Sequence, residues 1–362
     1  MSEQRQAQRG LGYFNAIYGY GMLMVIFAHT ISFNSAFFYS NFVFYGWFSV
    51  LGSAYMVLFF LLSGYGFNPS PVRKSLSFNF RTLLKPYYIT AAAVLLAKLA
   101  LSFVRRRSFW EHGGEFLLTY ALGLNFEGGG TLFGVPVESI SILWFLWALF
   151  EARCLFNCLS HLKNRRLTYG LSFACTLLGY CMMRFSAVWP FVIHIGLMAT
   201  GWVALGNLIR EEHLLDRKFP LIPLVVLAVL SLNTFLRSHT DLIRGELSGG
   251  LMDVLGLTSL AVLLLVFFDW LTARTIDTAA NRFFAVIGMN NIWIICVHAF
   301  EKVILPNYKF LEWFPNSIFL QTVLMFAARA VFIAVVCVGL QMGRELLRKF
   351  RRRGRKKVTI EL

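Results

Sequence analysis

The chain has 362 residues, of which 57% are hydrophobic and 14% charged, and its mean hydropathy is +0.63. A soluble domain covers itself with more charge than that, and the apolar residues fall in runs long enough to cross a bilayer, so a soluble module is excluded. The net charge of +16 would suggest nucleic acid in a soluble protein, but here the basic residues lie between apolar runs and in a terminal tail, so no nucleic-acid partner is expected.

Arg5 and Arg9 precede the first apolar run. From about Asn15 to Phe38 that run is too long and too aromatic for a cleaved signal peptide, and it is read as a retained helix over about 14–37. Runs over about 46–67 and 87–104 follow, separated by a basic stretch holding Arg73, Lys74, Arg81 and Lys85. The apolar stretch 116–126 is short and counts as re-entrant or peripheral. Seven further runs come next, over about 140–160, 168–184, 189–209, 219–236, 250–270, 282–300 and 318–342. The segment Arg344–Lys357 then holds nine Lys or Arg, a topology anchor for anionic lipid headgroups.

Charge chooses the count. Ten spans with the N-terminus inside place 23 of the 34 Lys and Arg in cytoplasmic segments, 8 in exterior loops and three within spans. Eleven spans would put the basic tail outside, against the positive-inside rule. The expected fold is all-α, a polytopic membrane helix bundle of about ten transmembrane helices with both termini cytoplasmic. Residues 1–343 form one membrane domain and 344–362 a basic cytoplasmic tail. Only Arg105-Arg106-Arg107 fits poorly, since this topology places it outside.

The six cysteines all lie in apolar runs, and Cys154 and Cys158 lack the further thiol or histidine that a zinc-like set needs. No metal is expected. Gly128-Gly129-Gly130 has no following Lys-Ser/Thr and reads as a flexible loop over the outer mouth rather than a phosphate cradle. No nucleophile-elbow motif appears. Polar residues inside spans are costly and face the bundle interior, so His29, Lys98, Glu151, Arg153, His194, Asp253, His298 and Arg329 are the informative ones. Arg329 sits mid-span and needs a carboxylate, a carbonyl or water. His29 lies eleven residues after Tyr18, about three helical turns, so both side chains point in nearly the same direction. A neutral imidazole there suits a general base acting on a hydroxyl, and it equally suits a buried histidine bonded to a carbonyl.

Five segments in order resemble the acyltransferase type 3 family of integral membrane O-acyltransferases: FNAIYGYGMLMVIFAHT (Phe14–Thr30), MVLFFLLSGYGF (Met56–Phe67), RTLLKPYY (Arg81–Tyr88), SILWFLWALF (Ser141–Phe150) and IGMNNIWIICVHAF (Ile287–Phe300). The resemblance covers most of the chain. It implies a ten-helix bundle in the cell (plasma or inner) membrane, with no bound cofactor. An acyl group, acetyl or succinyl, would pass from cytoplasmic acyl-CoA to a hydroxyl of a cell-surface glycan or its lipid-linked precursor. By resemblance His29 would be the catalytic base, Arg81 and Lys85 would bind the CoA phosphates, and Trp144 and Phe145 would line the acyl or acceptor channel. His298 would sit across that channel, to which Tyr18, Asn291 and Arg329 are also assigned. One departure matters: the family carries an Asp and an Arg before the helix-one histidine, where this chain has Asn15 and Tyr18. Arg153, Arg184 or Arg329 would have to supply the cation from another helix. Two other functions stay open, a polysaccharide or small-molecule transporter or flippase on the same bundle, and a relative without catalysis.

Overall fold

A chain in lipid must satisfy its backbone N–H and C=O groups internally, so long apolar runs become helices. The computed structural model describes residues 13–33, 42–104, 113–132, 134–185, 189–216, 220–237, 239–305, 312–314 and 317–358, with no side chains described after 343. Arg5, Arg9, the Arg105–Arg107 run and the end of the first expected span lie outside these residues.

In chain order the helices are α1 (Asn15–Phe33), α2 (Phe42–Tyr65), α3 (Val72–Asn79), α4 (Lys85–Val104), α5 (Gly113–Ala121), α6 (Trp144–Ser160), α7 (Arg165–Met183) and α8 (Ile193–Glu211). They continue with α9 (Leu221–Arg237), α10 (Leu251–Thr275), α11 (Ala279–Met289), α12 (Asn291–Ile304) and α13 (Ile318–Val358). An antiparallel hairpin, β1 (Asn125–Leu132) with β2 (Val135–Ser139), precedes α6, and a smaller one, β3 (Thr240–Asp241) with β4 (Glu246–Leu247), precedes α10.

Among the described residues six stretches are long and apolar enough to cross a membrane: Trp47–Tyr65, Val72–Leu101, Ser141–Ser160, Pro190–Glu211, Leu251–Thr275 and Phe319–Gly343. The chain is therefore a helical membrane protein. α1 and α9 are shorter apolar helices, and α9 leaves Leu221, Ile222, Val229 and Leu236 exposed, as a lipid-facing helix does. Each of the ten runs expected from sequence is occupied by helix.

Two expectations need correction. The run 282–300 is not one straight helix, because α11 and α12 meet at a 70° bend. Asn290 Nδ2 donates to the Val286 carbonyl and Asn291 Oδ1 accepts from the Ile292 N–H, so two amide side chains compete with the helix backbone at the break. Gly128-Gly129-Gly130 is not a free loop but part of β1, with Gly130 opposite Val137. A further break, a π-helical turn over Phe80–Leu84, joins α3 to α4 just before Pro86. Proline cannot donate to the preceding turn, and the wider turn absorbs that loss.

α8 is the central helix, 78% of its spanning window being buried, and it packs against α2, α6 and α7; α13, at 17%, is peripheral. Reciprocal glycines let α8 and α2 touch backbone to backbone. A Cβ on Gly64 would lie 1.9 Å from the Val203 carbonyl oxygen, and one on Gly206 the same distance from that of Leu61. Gly19 and Gly288 do likewise between α1 and α11. Small residues at helix crossings are how membrane helices approach without a hydrophobic driving force.

Two ends of the bundle can be told apart. At one, the Ser70 N–H donates to Asn157 Oδ1, joining the α2–α3 turn to the end of α6. At the other, Ser53 Oγ donates to the Thr240 carbonyl and Asn125 Nδ2 to that of Ile243, which ties both hairpins to the first half of α2.

Candidate functional site

The sequence His298-Ala299-Phe300-Glu301-Lys302 places His298, Glu301 and Lys302 within little more than one turn of α12. His298 Nδ1 lies 2.7 Å from Glu301 Oε2, with both side chains fully buried. A carboxylate only accepts, so it fixes the proton on Nδ1 and leaves the lone pair on Nε2. Nε2 has no hydrogen-bond partner among the described residues. The other Glu301 oxygen, Oε1, is 3.2 Å from Nε of Arg329 on α13, which is also fully buried. Arg329 Nη1 in turn reaches Thr30 Oγ1 of α1 at 3.4 Å. Beside Thr30, the His29 ring lies 5.4 Å from the His298 ring, centroid to centroid. Three helices thus converge on one charge-paired cluster, which answers the need of a mid-span arginine for a carboxylate.

The cluster backs a cavity of about 410 Å³ whose lining includes His29, Ser141, Trp144, Phe145, Asp241 and Lys302. Phe145 packs on Phe59 and Phe60, so the inner wall is aromatic. The segment Thr240–Arg244 at the hairpin end contributes a polar wall through Thr240, Asp241 and Arg244. Lys302 Nζ of α12 donates to Ser141 Oγ at 2.7 Å, both in the lining of this cavity. His29 lies within electrostatic reach of Lys302, His298 and Arg329.

Of the residues expected from sequence, His29, Trp144 and Phe145 line the cavity, and His298 and Arg329 stand directly behind His29. Tyr18 stacks on Phe59 at 5.7 Å, about 16 Å along α1 from His29. It sits within electrostatic reach of Arg153 on α6, whose Nη1 reaches Ser63 Oγ at 3.3 Å. Arg81 and Lys85 are exposed on the π turn and at the start of α4, toward the Asn157 end and away from the cavity. Asn291 opens α12 at the bend, about two turns before His298, and does not line the cavity. Lys98 pairs with Glu138 of the hairpin at 2.7 Å.

Sequence reading missed Glu301, Lys302, Thr30 and Ser141. Glu301 and Lys302 were legible in principle, since a carboxylate three residues after a histidine on a helix is within reach of its ring. Ser141 was not, because only the fold brings it to Lys302. Comparison with protein-family models, curated proteins and solved structures found no match to this chain.

Chemically, the arrangement presents an imidazole at a half-apolar cavity, with a second imidazole held by a carboxylate behind it. Such a pair can accept a hydroxyl proton and move its charge toward Glu301. Among the described residues no group of His, Cys, Asp and Glu is arranged to hold a metal ion.

Proposed function

We propose that the chain is a membrane O-acyltransferase of the acyltransferase type 3 kind. It would take acetyl or succinyl from acyl-CoA to a hydroxyl of a cell-surface glycan or its lipid-linked precursor. The observation carrying this reading is the His29-lined cavity backed by His298, Glu301 and Arg329. The acceptor hydroxyl gives its proton to His29 as its oxygen attacks the acyl carbonyl. His298, held by Glu301, steadies the charge on the His29 ring, and Arg329 holds Glu301 in place. The aromatic wall of Trp144 and Phe145 suits the acyl chain, and the polar wall at Thr240–Arg244 suits a glycan hydroxyl.

The reading includes ten spans with both termini cytoplasmic, in the plasma or inner membrane. The bent α11–α12 pair counts as one span, and α1, α7 and α9 complete the ten. The Asn157 end then faces the cytoplasm, so Arg81 and Lys85 lie where CoA phosphates arrive. Arg153 lies within electrostatic reach of Tyr18, the place where the family carries an arginine on helix one.

The break between α11 and α12, together with the buried ion cluster, favours a second reading, a transporter or flippase. Vesicles reconstituted with the purified protein decide between them. The acyltransferase reading expects acyl-CoA consumption with no donor-independent substrate uptake. Uptake without acyl-CoA, and no acyl-CoA turnover, would favour the transporter.

A further inference from the structure

Ser141 is one of four described non-glycine residues with positive φ, at 52°. Its place in the fold explains the backbone. β2 ends at Ser139, the Ile140 N–H donates to the Leu124 carbonyl, and the Ser141 N–H donates to Ser139 Oγ at 2.9 Å. A 3-10 turn from Ser141 to Leu143 then runs straight into α6. Ser139 Oγ is itself bonded to Asn125 Oδ1, so the turn is braced from β1 as well. The result is a strand, a left-handed serine and a helix in succession. That is the backbone form that lifts a nucleophilic hydroxyl clear of its neighbours, here without the glycine-flanked sequence motif. A left-handed conformation at a non-glycine residue is strained, and such residues cluster at functional sites.

The side chain has the chemistry to match. Ser141 Oγ is 2.7 Å from Lys302 Nζ, and both residues line the cavity that His29 lines. A serine activated by a lysine amine is one of the known variants of the hydroxyl nucleophile and its base.

We infer that Ser141 is a covalent acyl carrier, activated by Lys302, so that transfer proceeds in two steps through an acyl-serine ester. This rests on the acyltransferase reading. In the first step Ser141 Oγ attacks the thioester carbonyl of acyl-CoA while its proton passes to Lys302 Nζ in its neutral form. The carbon–sulfur bond breaks, the Lys302 proton goes to the departing thiolate, and CoA leaves as the free thiol. In this backbone form the N–H of Ile142, the residue after the nucleophile, is the donor we assign to the tetrahedral oxyanion. In the second step the acceptor hydroxyl gives its proton to His29 and attacks the ester carbonyl. The bond from carbon to Ser141 Oγ breaks, and the His29 proton is delivered to Oγ. Lys302 thus serves acylation and His29 deacylation.

The test uses the full chain in nanodiscs, pulsed with acetyl-labelled acetyl-CoA, quenched in acid and mapped by peptide. The wild type carries label on the peptide holding Ser141, and hydroxylamine, the probe acceptor, removes it. In Ser141→Gly, which fits the positive φ and keeps the fold, protein label disappears and turnover falls at least a hundredfold. In Ser141→Cys label persists as a thioester, and in His29→Ala it accumulates on Ser141 because deacylation is blocked. Lys302→Met slows labelling at least tenfold. A merely structural Ser141 would give none of this pattern. Wild-type turnover by Ser141→Gly, or label on another residue, overturns the inference while leaving the acyltransferase reading intact. Should no variant turn over acetyl-CoA, the acyltransferase reading itself fails. A fluorophosphonate probe then tests Ser141 alone: reaction in wild type and none in Ser141→Gly supports a nucleophile, and no reaction in either refutes it.

Discussion

Glu301 carries the most weight at the scale of single residues, since it holds His298 with one oxygen and pairs Arg329 with the other. Removing one partner of a buried ion pair leaves the other charge uncompensated, at a cost of about 3–5 kcal/mol. Glu301→Ala should therefore unfold at markedly lower temperature in detergent. Glu301→Gln keeps the shape but also leaves Arg329 without its counter-charge, so it should lose part of that stability, and its activity should fall by roughly a hundredfold or more, because an amide cannot stabilise a charged imidazole as a carboxylate does. Thermal unfolding and acyl-CoA turnover of the two variants separate these effects; equal turnover in wild type and Glu301→Gln would remove Glu301 from the mechanism. The sequence exposed part of this cluster. His29, His298 and Arg329 stand out because polar groups in apolar runs are costly, which makes them visible without any structure. Which carboxylate Arg329 finds depends on the packing of α12 against α13, and a hydropathy profile holds no trace of it.

Helix pairs are held by contacts of another kind. The α2–α8 crossing depends on Gly64 and Gly206, each touching the partner backbone where a Cβ would stand. Gly206→Ala must push a carbonyl aside rather than a flexible side chain, so a loss of about 1–3 kcal/mol is expected. Gly339→Ala on α13, where nothing lies within 4 Å, should leave stability unchanged or slightly raised. Unfolding of both variants by denaturant or heat in the same detergent checks this, and equal effects would contradict the close crossing. Helix positions were legible because long apolar runs in lipid have few alternatives to a helix. The bend at Asn290 was not, since hydropathy averages over a window and loses two neighbouring asparagines in an otherwise apolar run. The hairpin at Gly128–Gly130 was hidden for the opposite reason: a glycine run has no side-chain alternation to mark a strand.

For the whole molecule, the bundle has one end bearing both hairpins and the cavity's polar wall, and another bearing α3 and the α2–α3 turn. The proposed topology puts the first outside and the second in the cytoplasm. Single cysteines at Lys74 and at Lys357 should then react with an impermeant reagent only after cells are opened, and one at Glu246 should react in intact cells. Labelling of the Lys357 variant in intact cells would overturn the even span count. Charge asymmetry made orientation readable, because it acts through loops rather than through packing. The cavity was not readable, since it assembles residues from α1, α2, α6, α12 and the Thr240–Arg244 turn.

The central claim is that His29 at this cavity drives acyl transfer from acyl-CoA. Its most direct test is turnover of labelled acetyl- and succinyl-CoA by the purified protein in nanodiscs, with wild type and His29→Ala side by side. The account predicts release or transfer of label by wild type, and loss of at least a hundredfold in His29→Ala with an unchanged unfolding temperature. Equal turnover in both proteins, or none in either, would contradict it.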